Sequence, residues 1–338
     1  MLKIGILGIT GYAGAELIQI LLKHPEVQIT EMAARLDKPT PISNIFGQFK
    51  KRFDMECQVF KDAQSFGMTC DLIFLALPHK TSMSLVPEFL KAGKRVVDLS
   101  ADFRLRDAGV YSQWYHEEHT APSLLSEAVY GLPELYQDRI KNARLIANPG
   151  CYPTTVILGC APLIKQKIVK LEIIVDSKSG ISGAGKTPSP TTHFVNRYEN
   201  FTAYNIGVHR HIPEMEQELS MLAGSEVRVI FSPHLLPINR GMLSTMYLTL
   251  EKEITQDDLS SLYQGFYQDE PFIRILDKIP QTADVRETNY CDIWVNLDKR
   301  TNKVIIVSAI DNLTKGASGQ AVQNMNIMYG FREYTGLL

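Results

Sequence analysis

The most informative stretch of the sequence is Ala147-Asn148-Pro149-Gly150-Cys151-Tyr152-Pro153-Thr154. Leu145–Ala147 reads as a short apolar strand, Pro149 and Gly150 stop it, and Cys151 opens an apolar segment, Thr154–Ile164, with the character of a buried helix. A cysteine in the first turn of a helix faces unpaired backbone N–H groups and the positive end of the helix dipole. Both favour the thiolate and lower its pKa. Gly150 leaves a substrate close access to the sulfur. The same local signal fits a buried packing cysteine equally well, the commoner fate of a free thiol. Cys160 is the internal contrast. At about 100° per residue it falls on the opposite face of the helix, among apolar neighbours, and reads as packing.

A thiol nucleophile needs a base or cationic partner. His209 and His211 stand out in Gly207-Val208-His209-Arg210-His211-Ile212-Pro213-Glu214, just before a segment in which Pro213 suits a helix start. In an extended segment both side chains face one side, so one could take a proton and the other orient it. Metal binding is the rival reading of His-x-His, but no Cys/His set with zinc-like spacing accompanies it.

Two glycine-rich turns offer backbone N–H groups to anions. Gly8, Gly11 and Gly14 form G-x-x-G-x-x-G between an apolar strand, Leu2–Leu7, and a helical pattern that runs to His24-Pro25. In that context the glycines allow close approach of a pyrophosphate to a helix N-terminus. The second strand, Val27–Ala34, ends in Ala33-Ala34-Arg35, with no acid at the tip that would take a ribose 2′-hydroxyl. This favours NADP, with Arg35 on the 2′-phosphate, while Asp37 keeps NAD open. Ser179-Gly180-Ile181-Ser182-Gly183-Ala184-Gly185-Lys186 is the second turn. It reads as an anion cradle or a glycine hinge, and its spacing to Lys186 is not that of a P-loop.

The elements that must position these residues fall into two registers. Through residue 148 strands and helices alternate: after the first two strands, 71–77 and 95–99 are continuous apolar runs and 82–92 is helical. That rhythm implies a Rossmann-type, doubly wound parallel sheet. Beyond it, 171–177, 226–232, 242–250, 291–297 and 303–310 read as longer strands with helices at about 213–223 and 256–267. They imply an α+β domain with a mainly antiparallel sheet. A last helix, 316–330, is expected to rejoin the first domain. The expected division is 1–148 with 313–338 for the dinucleotide domain and 149–312 for the catalytic and oligomerisation domain. The Pro-containing stretch 37–44 reads as a surface loop.

The 338-residue length suits about two domains. Charge is balanced, 35 Lys+Arg against 37 Asp+Glu for a net −2, which argues against nucleic acid as a partner. No apolar run approaches the roughly 20 residues of a membrane span, and no signal-peptide pattern opens the chain. Five scattered cysteines make a poor disulfide framework and fit a reducing, cytoplasmic setting.

The ordered set GITGYAGAEL (8–17), LALPHKTS (75–82), VDLSADFRL (97–105), YGLPE (130–134), ANPGCYPT (147–154), SGISGAGK (179–186), HRHIPEMEQ (209–217), PHLLPINRGML (233–243) and DNLTKGASGQAVQNMN (311–326) resembles the N-acetyl-γ-glutamyl-phosphate reductase family of arginine biosynthesis. That family is similar to aspartate-semialdehyde dehydrogenase. Residues 36–60 match its pattern poorly. The resemblance implies Cys151 as nucleophile, and His209 as base with His211 the near alternative. It implies a phosphate-holding turn of Gly8, Thr10, Gly11, Tyr12, Ala13 and Gly14. It also implies cofactor or substrate contacts from Ser182, Gly183 and Asn312. Arg104 and Arg240 are candidate clamps for the substrate carboxylate or phosphate, with ordinary surface ion pairs the equal alternative. The implied reaction is NADP-dependent reductive dephosphorylation of an acyl phosphate to a semialdehyde and inorganic phosphate, in a homo-oligomer, dimer or tetramer. Reduction of N-acetyl-aminoadipyl or aspartyl phosphate, and a non-catalytic NADP-binding sensor, are the alternatives. No metal is implied.

Overall fold

The computed structural model of the chain describes residues 1–338. It divides into two compact units, Met1–Pro149 with Ala317–Leu338, and Gly150–Gly316.

The first unit is built on β1 (Leu2–Leu7), β2 (Val27–Ala34), β3 (Thr40–Pro41), β4 (Glu56–Val59), β5 (Leu72–Leu75), β6 (Arg95–Asp98), β7 (Val129–Tyr130) and β8 (Leu145–Ala147). Their order is β3-β4-β2-β1-β5-β6-β8-β7. Every pairing is parallel except β3–β4. The continuous apolar runs are explained by burial on both faces. Ile4, Ile6, Phe74, Val97 and Ile146 point into one cluster, with Leu17, Ile18 and Leu21 of helix Tyr12–Leu21 and Val322 and Met325 of the C-terminal helix Gly319–Met328. Their neighbours Leu7, Ile73, Leu75, Val96 and Leu145 point into the other, beneath Met83, Val86, Phe89 and Leu90 of helix Ser82–Lys91. Each fully buried Leu, Ile or Val contributes about 1.5–3 kcal/mol. Chain direction across the sheet reverses at β1: β2 lies on one side and β5 on the other. The carboxyl ends of β1 and β5 are therefore the topological switch point, where open α/β sheets bind ligands.

The second unit carries β9 (Val169–Gly180), β10 (Thr202–Ala203), β11 (Arg228–Leu236), β12 (Met242–Leu250), β13 (Ile273–Ile275), β14 (Cys291–Asp298) and β15 (Lys303–Ile310), in the order β10-β11-β9-β12-β15-β14-β13. The sheet is mainly antiparallel; β9–β11 and β13–β14 are parallel. Along β12 burial alternates strictly, so one face is closed and the other half-open. Helix Cys151–Gln166 lies on the closed face and is buried from Tyr152 through Ile164. A Cβ on Gly159 would stand 2.7 Å from Met246 Cε, so a glycine there permits the close approach of helix and sheet.

Two expectations change. The stretch 37–44 is not wholly a surface loop: β3 lies within it and pairs with β4, and Ile42 is fully buried in the core. The strands at 171–177 and 226–232 are longer than their apolar cores, because both run on to the loops that meet near Gly180 and Leu236.

Candidate active site

Cys151 is half-buried and is the first residue of its helix, with Gly150 as N-cap and no side chain capping the end. The first intrahelical bond is Thr154 N–H to Gly150 O at 3.0 Å. Pro153 sits where its missing N–H costs nothing. The sulfur thus stands at the amino end of the helix, where the dipole is positive. Two groups fix its position. The Gly150 N–H donates to Glu214 Oε1 at 2.8 Å, and Glu214 is buried in the first turn of helix Ile212–Ala223. A Cβ on Gly316 would stand 2.8 Å from Cys151 Cβ, so only glycine fits there.

The histidine segment is not extended. Residues 205–208 and 210–211 are turns and bends, and the turn rather than strand alternation brings the two imidazoles together. Their ring centroids are 4.8 Å apart, and both rings stand edge-on to Tyr152, the residue after the nucleophile. His209 also packs on Tyr204 and Phe231. Burial in this aromatic cage, with a smaller contribution from Arg210, pushes its pKa down to about 4. His209 Nδ1 accepts the His211 backbone N–H at 3.1 Å. A neutral imidazole with Nδ1 occupied as acceptor carries its proton on Nε2, so His209 presents an N–H donor. The Tyr204 hydroxyl donates to that of Tyr152 at 3.1 Å, which donates on to His234 O at 3.3 Å. Burial pushes the Tyr204 phenol up to about 12 and the Tyr152 phenol higher, so both remain protonated.

The glycine loop after β9 is tied to two other segments. Ser182 Oγ donates to Asn239 O at 2.6 Å, Asn312 Nδ2 donates to Ser182 Oγ at 2.9 Å, and Asn312 Oδ1 accepts the Gly241 N–H at 2.9 Å. A Cβ on Gly183 would meet Ser179 Oγ at 3.0 Å. The side chains of Ser182 and Asn312 thus join loops 181–184, 239–241 and 311–312 into one rim. Arg240 stands on it, Nη1 3.5 Å from the buried carboxylate of Asp311, which also accepts the Glu287, Leu313 and Thr314 N–H groups.

In the first unit, the turn after β1 behaves as the glycine spacing implies. Gly8 has φ +93°, and a Cβ there would lie 2.4 Å from Ala76 O; at Gly14 it would lie 2.6 Å from Ile9 Cα. At Gly11 a Cβ would meet nothing within 4 Å. Two glycines therefore shape the turn, and the third leaves open space at the N-cap of helix Tyr12–Leu21. No side chain caps that helix end and no acid stands in its first turn. Thr10, Tyr12 and Ala13 complete the turn. This donor set and this open volume fit a dinucleotide pyrophosphate. Arg35 is exposed directly after β2, two residues past Ala33, whose carbonyl accepts the Gly8 N–H at 2.9 Å.

Arg104 departs from the clamp expected of it. It is buried, and it donates from Nε to Asn148 O at 2.7 Å and from Nη2 to Leu99 O at 2.8 Å. Asn148 itself is held through its N–H by Asp98 O, through Nδ2 by Ala317 O, and through Oδ1 by Asn324 Nδ2. Arg104 therefore fixes the end of the strand that delivers the nucleophile. Sequence reasoning also missed the buried carboxylates behind LALPHKTS and VDLSADFRL. Asp102 accepts the Lys80 and Met83 N–H groups and the Tyr111 hydroxyl, capping helix Ser82–Lys91 from outside it. Asp98 accepts Ser82 Oγ and Ser100 Oγ, and burial beside Asp102 pushes its pKa up. Glu214 was within reach of the sequence, as an acid in the first turn after the histidine pair. Its partner, a backbone N–H 64 positions away, was not.

Residues 3–143 match the semialdehyde dehydrogenase NAD binding domain, and residues 151–312 match the semialdehyde dehydrogenase dimerisation domain. The chain thus has the two domains of a semialdehyde dehydrogenase. It is 51% identical to the N-acetyl-gamma-glutamyl-phosphate reductase of Geobacter sp. (strain M21), over 100% of this chain and 98% of the relative. It is 48% identical to that of Desulforamulus reducens, over 100% and 98%. The chain belongs to the N-acetyl-γ-glutamyl-phosphate reductase family. The fold also matches aspartate semialdehyde dehydrogenase II of Vibrio cholerae complexed with ASA (TM-score 0.73, 16% identity, 98% of each chain). It matches aspartate semialdehyde dehydrogenase with NADP from Candida albicans as well (TM-score 0.72, 16% identity, 97% of this chain and 98% of that one).

Proposed function

We propose that the chain catalyses NADPH-dependent reductive dephosphorylation of N-acetyl-γ-glutamyl phosphate to N-acetyl-glutamate 5-semialdehyde and inorganic phosphate, in arginine biosynthesis. The observation that carries this reading is Cys151 at an uncapped helix N-terminus whose following residue supports two adjacent imidazoles. The Cys151 thiolate attacks the acyl carbon, the carbon–oxygen bond to phosphate breaks, and a thioester forms. NADPH, when bound, supplies the hydride. A thioester accepts hydride where a carboxylate does not, which is the reason for covalent catalysis here. His209, neutral and presenting its Nε2–H, donates a hydrogen bond to the oxyanion of the thiohemiacetal, beside the N–H groups of the Cys151 turn. The oxyanion collapses as the carbon–sulfur bond breaks, releasing the aldehyde and returning Cys151 as thiolate, and His211 supplies the proton that the phosphate takes up as it leaves in the first step. This exchanges the roles first expected of the two histidines, because the Nδ1 of His209 is already engaged. Arg240, steadied by Asp311, is the cation offered to the anionic substrate.

The glycine turn of Gly8, Gly11 and Gly14 holds the pyrophosphate, and Arg35 takes the 2′-phosphate. The half-open face of the second sheet, with Ile174, Ile230, Tyr247, Trp294 and Ile305, joins copies into a homo-oligomer. All five cysteines are free, which supports a cytoplasmic setting.

The assay runs in reverse, with semialdehyde, NADP and phosphate. Cys151→Ser abolishes turnover while NADP still binds; turnover near that of the unaltered enzyme would remove Cys151 as nucleophile. Offering N-acetyl-aminoadipate and aspartate semialdehydes in parallel measures chain-length choice. One methylene is worth only about 1–3 kcal/mol of discrimination.

A further inference from the structure

The segment between the glycine loop and the histidines is anomalous in its surface. Six of the sixteen large apolar side chains exposed on the whole chain fall within residues 194–208: Phe194, Val195, Tyr198, Phe201, Ile206 and Val208. Phe194 and Val195 are 72% and 73% exposed. Contiguous apolar surface of this kind marks an interface. The segment's own bonds are short-range, such as Asn196 Nδ2 to Pro190 O and Asn200 Nδ2 to Asn196 O. It is tied to the sheet by the two-residue pairing of β10 with Leu235 and His234 of β11 and by the Tyr204 N–H, which donates to Pro233 O at 3.0 Å.

The patch does not stand alone. Phe201 stacks on His234, with centroids 4.9 Å apart at 23°. His234 alternates with Ile230 on the half-open face of β11, and Ile230 is in register with the exposed Ile174 of β9. The strap therefore extends the same open sheet face, in a domain that matches a dimerisation domain. We propose that the occupant of the strap is a second copy of this chain, which docks the exposed aromatic side chains of 194–208 as part of the dimer contact and thereby orders the catalytic cage. The far end of the strap supplies Tyr204, bonded to Tyr152 and packed on His209, and leads directly into His209. Docking at one end constrains the imidazole at the other, and the isolated protomer has a loose His209 and little activity. Tyr204 is a positioning residue in this account. The inference rests on the homo-oligomer proposed above.

The test uses the full chain. Hydrogen exchange on the unaltered protein should show amides of 194–201 exchanging at least ten-fold more slowly in the dimer than after dilution to protomers. Sedimentation of F194S/V195S/Y198S should show the dimer dissociation constant raised at least 100-fold. Its kcat should fall at least ten-fold at low protein concentration and recover at high concentration, with NADP affinity unchanged. Equal strap protection in protomer and dimer, or protection gained by the protomer on adding NADP alone, would show that the chain covers its own strap and overturn the proposal. A variant with the parent's dimer affinity and concentration-independent activity would overturn it too. Ile174→Asp separates the two readings: if it splits the dimer while the strap variant does not, the sheet contact stands and the strap inference fails. A protein that is monomeric at every concentration removes both.

Discussion

Removing the Glu214 carboxylate tests whether the nucleophile is placed by the histidine helix. Glu214 Oε1 accepts the Gly150 N–H at 2.8 Å in a fully buried setting. A hydrogen bond to an ionised group contributes about 1.5–3 kcal/mol net, and Glu214→Ala also leaves the buried N–H without this acceptor. A loss of about 2–3 kcal/mol follows, which for a unit of this size lowers Tm by about 4–12 °C. The catalytic effect is larger. Gly150 is the N-cap of the Cys151 helix, and a displacement of about 1 Å at a reacting atom costs on the order of 100-fold. Glu214→Ala should therefore lower kcat about 100-fold with KM nearly unchanged. Glu214→Gln keeps an acceptor oxygen and should stay within about ten-fold, losing about 1 kcal/mol, the difference between charged and neutral acceptors. The assays are thermal unfolding, steady-state kinetics in the reverse direction, and the rate of Cys151 alkylation by iodoacetamide against pH. Glu214→Ala with unaltered kcat and an unaltered alkylation profile would refute the reasoning, because nothing else about that bond requires the charge.

Gly11→Val should leave folding intact, since a Cβ there meets nothing, and weaken NADP binding at least 100-fold by titration; Gly8→Ala should instead fail to fold stably, its Cβ being driven into Ala76 O at φ +93°. His209, near 4 when folded and about 6.5 when unfolded, contributes stability that is complete above pH 6.5 and lost as pH falls toward 4, about 3 kcal/mol in all. His209→Gln should flatten that part of the stability–pH curve relative to the unaltered protein, as read by urea unfolding. His211→Gln and His209→Gln should each lower kcat about 100-fold with NADP affinity unchanged, measured by steady-state kinetics and titration. Arg35→Ser should raise the NADP dissociation constant about ten-fold and leave NAD binding unchanged, measured by fluorescence titration.

Much of the fold was readable because burial on two faces leaves an unmistakable trace. Leu2–Leu7 and 303–310 could be bounded from apolar runs alone, and 242–250 read as a strand, although its open face emerged only from the burial pattern in the structure. The helix at Ala108–Tyr115 was not readable. Its signal is one capping residue, Asp107, whose carboxylate accepts the Gly109 and Val110 N–H groups, and its apolar content is ordinary. At the site, residue types and spacing singled out Cys151, the histidine pair and the glycine turns, because each acts through local backbone geometry. Roles set by distant partners stayed hidden. Arg104 carries the charge of a substrate clamp, and only its bonds to Leu99 O and Asn148 O reveal an anchor. The tautomer of His209 likewise depends on a turn that period-two alternation did not anticipate.

The return of residues 317–338 to the first unit sets an order of events during synthesis. Val322 and Met325 complete the core over β1, and a Cβ on Gly336 would meet His24 at 2.8 Å. The dinucleotide unit therefore stays unfinished on the ribosome until the intervening unit has been made, a wait of roughly ten seconds or more at about 5–20 residues per second. A chain lacking residues 317–338 would have all of its second unit while its first keeps an open apolar face. Such a product is a substrate for chaperones and proteases rather than a weak enzyme. Joining Leu338 to Met1 and opening the chain after Gly316 would place the whole first unit ahead of the second, and nascent chains of that permutant should acquire protease resistance in the first unit before the second is made.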